Sequence, residues 1–249
     1  MNKGAKLIVA DPRFTRSASK ADLFLRLRPG SDIALFNCLS NYVIQNNLYH
    51  KEYVVHYTNA SFLVKTGFSF QDGLFSGFDP AKKAYDFSTW DYETDAQGNP
   101  VVDPTLQHPR CVFQLLKQEF SRYTPELAAS VTGVPKEQIL ALAQLYGATG
   151  QPGKAGTIMY AMGATQHSTG VQIIRSYSIL QLLLGNMGIP GGGINALRGE
   201  SNVQGSTDMA LLFHIVPGYM AIPNAAKHPT LKDYLEKETP KAGYWTNTP

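Results

Sequence analysis

The sequence predicts an α/β fold: a mostly parallel sheet with helices on both faces, followed at the C-terminal end by an incomplete second domain. Three observations predict it. Short apolar runs that read as buried strands alternate with longer stretches of helical spacing. Glycine, proline and capping residues separate the two kinds of segment. The 249 residues, 43% of them hydrophobic, suffice for one large domain with its own core plus part of another.

The first element is Lys6-Leu7-Ile8-Val9-Ala10, apolar and partly β-branched, which reads as a buried strand running into a loop at Asp11-Pro12-Arg13. Pro29-Gly30 then breaks the chain, and Ser31 or Asp32 can cap a helix. Ile33, Leu35, Phe36, Leu39, Tyr42 and Val43 recur at helical spacing. A second helical stretch covers about Lys51 to Tyr57. Residues 71–109 then carry Gly, Pro, Asp and aromatics without periodicity. Linkers seldom hold Phe75, Phe78, Tyr85, Phe87, Trp90 and Tyr92, so this insertion reads as a functional covering loop.

Helical pattern returns with Val112, Phe113, Leu115, Leu116 and Phe120. Thr124-Pro125-Glu126 supplies a cap followed by proline at the first helical position, and Pro135 to Tyr146 repeats the device. Ala155 to Ala161 is a second strand, closed by Gly163. A long helix from Ser168 to Asn186 has Val171, Ile174, Tyr177, Ile179, Leu180 and Leu183 as its apolar positions, and stops at Gly188 and Pro190. No internal repeat is visible. The expected domains are residues 1–200 and, from 201 to 249, the start of a neighbour ending in a polar tail.

Composition excludes disorder, a coiled coil and a disulfide scaffold. No apolar run approaches the roughly 18 to 20 residues that cross a bilayer, so direct membrane insertion is not expected, and the first residues lack the apolar stretch of an export signal. Two cysteines, Cys38 and Cys111, are too few for a thiolate cluster and read as core residues; no metal ligand is expected in the chain. A net charge of +3 is too small to argue for nucleic acid. The charge is uneven, however: Lys3, Lys6, Arg13, Arg16, Lys20, Arg26 and Arg28 oppose only Asp11 and Asp22 within residues 1–30, which is +5 and leaves −2 for the rest. A discrete anionic ligand suits such a surface, as does plain solvation.

Three clusters could carry chemistry. A parallel sheet places ligands beyond the carboxyl ends of its strands, where Asp11 and Gly163 sit. A carboxylate at Asp11 can accept from ribose hydroxyls or from guanine N–H donors, with Arg13 and Arg16 available for phosphate or stacking, although Asp-Pro is also an ordinary turn. The second cluster is Met162-Gly163-Ala164-Thr165-Gln166-His167, which crowds amide, hydroxyl and imidazole at the mouth of the sheet. The third runs from Gly191-Gly192-Gly193 through Arg198, Gly199, Glu200, Asn202 and Gln204 to Gly205: glycines that let backbone approach a bulky ligand, then polar side chains without an apolar face. There is no GxGxxG, Walker A, HExxH or GxSxG motif, which disfavours standard nicotinamide, P-loop, zinc-hydrolase and acyl-transfer sites.

Taken in order, these clusters resemble the catalytic subunit of molybdenum- or tungsten-dependent respiratory formate dehydrogenases, within the molybdopterin oxidoreductases. The resemblance rests on Val9 to Arg16, Arg28-Pro29-Gly30-Ser31-Asp32, Leu106 to Arg110, Gln166-His167, Leu183 to Gly188 and Leu197 to Gly205. It implies oxidation of formate to carbon dioxide at a bis(molybdopterin guanine dinucleotide) centre holding Mo or W, on a dinucleotide-binding-like domain. It implies that Asp11, Arg13 and Asp32 serve one guanosine end and that Gly30 also binds the cofactor. Gly163, Gln166 and His167 would line the pterin, and Met162, Gly199, Glu200 and Gln204 would also touch the cofactor. Arg198 matches the arginine that the family places beside the metal, where its planar fork suits a formate carboxylate.

It further implies that this chain is an internal fragment, inactive alone. The family's metal-ligating residue and a 4Fe–4S iron-sulfur cluster would lie in an N-terminal part of the subunit, with an iron-sulfur electron-transfer subunit as partner and a periplasmic parent. The rival readings are another molybdopterin oxidoreductase acting on nitrate or a further oxyanion, and a nucleotide-binding module without chemistry.

Overall fold

A computed structural model describes residues 4–71, 73–151, 153–209, 216 and 220–239. The fold is α/β, and the chain divides into two compact units, Met1–Ala196 and Leu197–Pro249.

In the first unit, β1 (Ile8–Ala10) pairs in parallel with β2 (Leu23–Leu25), Ile8 facing Leu23 and Ala10 facing Leu25. Helix α1 (Asp32–Gln45) comes next and buries Leu35, Cys38, Leu39, Val43 and Ile44. Ser31, at its N-cap, donates its hydroxyl to the Arg28 carbonyl at 2.6 Å instead of accepting from the helix. Helix α2 (Lys51–Tyr57) is capped by His50, whose Nδ1 accepts from the Tyr53 amide at 3.2 Å.

The insertion is better organised than its composition predicts. It forms two antiparallel hairpins, β3 (Phe70–Gln71) with β4 (Leu74–Phe75) and β5 (Phe78–Asp79) with β6 (Ala84–Tyr85). Its aromatics hold one another: Phe75 and Trp90 have ring centroids 4.7 Å apart, and Trp90 Nε1 donates to the Ser76 carbonyl at 2.8 Å. The reason is physical. Rings satisfied by neighbouring rings and by the backbone give a local cluster that needs no sequence period.

Helices α3 (Val112–Phe120), α4 (Pro125–Thr132) and α5 (Lys136–Gly147) follow; of the two predicted cap-and-proline starts only that of α4 forms, since Pro135 is itself the N-cap of α5 and no side chain caps the start of α5 or of α3. Thr124 accepts from the Leu127 amide at 3.2 Å, Pro125 starts α4, and Gly133 ends it at φ +74°. Strand β7 (Thr157–Tyr160) leads through α6 (Met162–Thr165) into α7 (Gly170–Leu184), and β8 (Gly193–Ala196) returns to pair in parallel with β7. α7 stops earlier than Gly188, because Gly185 takes a left-handed φ of +70° immediately after Leu184.

Parallel pairing thus takes the form of two separate two-stranded sheets, β1–β2 and β7–β8, among the described residues. The main core gathers Leu25, Leu35, Ile44, Ile139, Leu142, Leu180 and Leu184 between α1, α5 and α7; a smaller one, Ala164, Ile173 and Tyr177, lies beside Ile158 and Ile194 of β7 and β8.

The second unit, described by itself, holds α8 (Val203–Asp208) and α9 (Leu231–Glu238). α9 begins with a reciprocal capping box between Thr230 and Asp233, and Tyr234 is buried against His228, whose Nε2 meets Glu238 at 2.9 Å.

Candidate cofactor-binding site

The Asp-Pro-Arg segment leaves β1 at the carboxyl end of the β1–β2 pair. The Asp11 amide donates to the Leu25 carbonyl at 3.1 Å, and Asp11 Oδ1 accepts from the Arg13 amide at 2.7 Å. This is an Asx turn, so one carboxylate oxygen shapes the loop and the Arg13 side chain is carried outward, exposed. Arg26 Nε reaches the Pro12 carbonyl at 3.3 Å.

Not all of the basic N-terminal charge faces solvent freely. Lys6 pairs with Asp22 at 2.9 Å, and Arg28 Nη1 donates to the carbonyls of Ser130 and Val131 at 2.7 and 3.0 Å. The Arg28 guanidinium therefore caps the C-terminal end of α4, where unpaired carbonyls and the helix dipole attract a cation. The turn after it, Pro29-Gly30, needs φ +79° at Gly30 and leads into the first turn of α1.

Here two clusters meet. A Cβ on Gly30 would lie 3.8 Å from Nδ1 of His167, so the turn before α1 and the end of the 162–167 segment are neighbours. His167 Nε2 lies 3.0 Å from the Gly163 carbonyl, and Gln166 Nε2 lies 3.4 Å from Met162 Sδ. Both residues fold back on their own turn. At Gly163 a Cβ would meet nothing within 4 Å, which leaves open space beside its backbone. Met162 is 59% exposed, unusual for a methionine next to a core.

Two residues that local pattern does not flag complete this corner. Tyr177, on α7, donates its hydroxyl to Asp32 Oδ1 at 2.9 Å from a position only 4% exposed, and its ring lies against Phe36 with centroids 4.2 Å apart. Gly170 lets α7 begin where it does, since a Cβ there would come within 2.2 Å of the Thr165 carbonyl oxygen. Only the tyrosine's apolar half shows in a helical pattern; its partner is 145 residues away.

Within the glycine triplet, the fold itself requires the middle residue to lack a side chain. A Cβ on Gly192 would come within 2.0 Å of the Asn186 carbonyl oxygen, and Gly193 opens β8 at φ +89°. Gly192 thus lets the protein's own backbone pack closely, whereas a Cβ on Gly193 would meet nothing within 4 Å.

Arg198, Gly199, Glu200 and Gln204 belong to the second unit. Arg198, Gly199 and Glu200 are exposed in the stretch before α8, Gln204 is exposed in its first turn, and Asn202 precedes the helix at φ +53°. The structure therefore gathers Gly30, Asp32 and the 162–167 segment in one corner of the first unit and Asp11 with Arg13 at the end of β1. Two cavities of about 470 and 400 Å³ lie elsewhere in that unit, the second lined by Phe75, Trp90, Tyr92 and Leu116 among others.

Both thiols are buried. Burial pushes Cys38 up to about 12, and Cys111 donates to the Ala60 carbonyl at 2.8 Å. Among the described residues no group of three or more His, Cys, Asp or Glu side chains could hold a metal ion, and no helix is long and apolar enough to cross a membrane.

The sequence model of the molybdopterin oxidoreductases matches residues 1–248. The chain belongs to that family. Among curated relatives, a formate dehydrogenase subunit alpha from Megalodesulfovibrio gigas is 54% identical over all of this chain, and the nitrate-inducible formate dehydrogenase major subunit of Escherichia coli is 49% identical over the same extent. An F420-dependent formate dehydrogenase 1 subunit alpha from Methanococcus maripaludis is 33% identical over 89% of the chain. The chain spans about a quarter of the length of these relatives, 25%, 25% and 24%. Acetylene hydratase from Pelobacter acetylenicus superposes with a TM-score of 0.48 at 23% identity, over 75% of this chain and 18% of that one. Membership in the molybdopterin oxidoreductases implies a molybdopterin cofactor carrying molybdenum or tungsten.

The residues present suit such a molecule on their own chemistry. An acceptor carboxylate at the start of α1, an imidazole and an amide beside open space at Gly163, and exposed arginines by the β1 turn form a donor and acceptor set for a polar, anionic heterocycle.

Proposed function

We propose that this chain is part of the catalytic subunit of a formate dehydrogenase, oxidising formate to carbon dioxide, with a guanine dinucleotide form of molybdopterin as its cofactor. The observation that carries the reading is identity of 54%, 50% and 49% along the whole chain with subunits of three formate dehydrogenases. The corner in which Gly30 meets His167 is where the sequence places cofactor contacts, and it supports the same reading.

The metal of the bound cofactor supplies two-electron redox chemistry. Asp11, Arg13, Gly30 and Asp32 hold one guanosine end: the carboxylates accept from ribose or base N–H groups and Arg13 answers phosphate charge. Met162, Gly163, Gln166 and His167 line the pterin, where the lack of a side chain at Gly163 admits a flat ring system. Gly199, Glu200 and Gln204 would also touch the cofactor. Arg198 binds the formate carboxylate through its planar fork and orients the C–H bond for oxidation. A 4Fe–4S cluster in the remainder of the subunit and an iron-sulfur partner subunit would accept the electrons, and the parent would work in the periplasm.

The test is formate-dependent dye reduction by the full-length subunit, together with its molybdenum, tungsten and guanine nucleotide content. Formate oxidation with nucleotide present is the expected result. Reduction of nitrate or another oxyanion without formate oxidation moves the chain to a different branch of the family, and nucleotide content without any redox activity makes it a binding module.

A further inference from the structure

The Asp32 carboxylate is held from below by a group that nothing in the nucleotide assignment requires. Tyr177 stands two turns into α7, wedged between Phe36 at 4.2 Å and Tyr160 at 6.2 Å between ring centroids. Its hydroxyl donates to Asp32 Oδ1 at 2.9 Å. We propose that Tyr177 is a positioning residue for the nucleotide: its hydroxyl occupies one oxygen of Asp32, sets the carboxylate's rotamer, and turns the other oxygen toward donor groups of the guanosine.

Three features carry this. A ring packed on two aromatics has no freedom to follow Asp32, so the carboxylate adapts to the phenol and not the reverse. Burial raises the Tyr177 phenol well above its ordinary range, with the Asp32 charge adding to the effect, so the hydroxyl stays protonated and remains a donor. A phenol that donates leaves Asp32 purely an acceptor on its outward side. That selects a ligand edge presenting N–H or O–H groups over one presenting lone pairs. The same bond joins the start of α1 to α7, whose own position is fixed by Gly170 against Thr165.

The inference rests on the proposed contact between Asp32 and guanosine, and a double-mutant cycle separates the two claims. The subject is the full-length subunit that carries this chain, as Tyr177→Phe, as Asp32→Asn and as both. The measurements are the rate at which guanine nucleotide is released on dilution and the thermal midpoint. Asp32→Asn is expected to release nucleotide roughly tenfold faster, and Tyr177→Phe several-fold faster, as removal of hydrogen bonds involving a charged group predicts. The double variant is expected to be no faster than Asp32→Asn alone.

Effects that multiply in the double variant would show that Tyr177 acts independently of Asp32 and overturn the proposal. So would release from Tyr177→Phe at the wild-type rate, or a Tyr177→Phe subunit that does not fold, which would make the hydroxyl's role structural; in each case the Asp32 contact stands. Unchanged release from Asp32→Asn, or a wild-type subunit that yields no guanine nucleotide, overturns the underlying contact as well.

Discussion

Gln181 donates through Nε2 to the Gly193 carbonyl at 2.6 Å from a side chain with no solvent exposure. The same nitrogen donates to the Gly156 carbonyl at 2.9 Å, while Oε1 accepts from the Tyr146 hydroxyl and from Asn186 Nδ2. Asn186 adds Thr149 Oγ1 and the Gly156 amide. Every polar atom of the Gln181 side chain is thus matched, and the starts of β7 and β8 are locked to α7 and α5. Gln181→Leu should cost about 3 kcal/mol, because it strands two carbonyls and a buried hydroxyl, whereas Tyr146→Phe should cost about 1 kcal/mol. Urea midpoints measured on both variants check the ranking, and equal losses would contradict it.

Gly170 and Gly163 should respond in opposite ways to the same substitution. Gly170→Ala pushes a methyl into the Thr165 carbonyl oxygen and forces backbone to move, so the thermal midpoint should fall by several degrees. Gly163→Ala meets nothing within 4 Å, so stability should hold while cofactor content of the full-length subunit falls. Retained cofactor in the second variant would remove Gly163 from the pterin wall.

Asp103 accepts from the Thr105 hydroxyl at 2.6 Å and from the amides of Thr105, Gln107 and His108, which together lower it from its ordinary 3.8 to about 2. A carboxyl lowered in the folded state stabilises above its unfolded value. That contribution should therefore be full above about pH 4 and vanish as pH falls toward 2. Amide exchange at Gln107 and His108 should accelerate across that window, and Asp103→Asn should flatten the dependence.

In the full-length subunit, Arg198→Lys keeps the charge and removes the fork. Formate turnover should drop at least tenfold with metal and nucleotide content near normal. Asp11→Ala should do the reverse, lowering nucleotide content before turnover per loaded site. Its loss also frees the Arg13 amide and loosens the turn.

Both cysteines should resist alkylation at pH 8 in the folded protein and react once it is unfolded. Burial holds Cys38 at about 12 and raises Cys111, so neither presents a thiolate. Peptide mapping after brief alkylation distinguishes the two states.

Helices were legible where their ends are chemically marked. Thr124-Pro125 and Gly133 bracket α4 in the sequence as they do in space. The short parallel strands were legible only in part: β1 and β7 are apolar runs, while their partners Leu23–Leu25 and Gly193–Ala196 are too brief, or too rich in glycine, to carry a period of two. What makes β8 a strand is its pairing with Thr157–Tyr160, and no local window contains that information. The candidate site divides the same way. Residue types at Gly30, Asp32 and 162–167 were readable; that Gly30 abuts His167 and that Tyr177 holds Asp32 depends on how α1 packs on α7. Arg28 is the instructive miss. Its charge counts toward a basic surface in any tally of the sequence, yet its guanidinium lies on the carbonyls of α4.

That anchor makes the turn ahead of α1 depend on residues with no chemistry of their own. Gly133 sits beneath the Arg28 side chain, and a Cβ there would come within 3.3 Å of Nε. A methyl group at Gly133 would tilt the guanidinium, slacken Pro29-Gly30 and swing Asp32 off its bearing. A screen for nucleotide retention would therefore score Gly133, a helix terminator remote in sequence from every proposed contact, as though it touched the ligand.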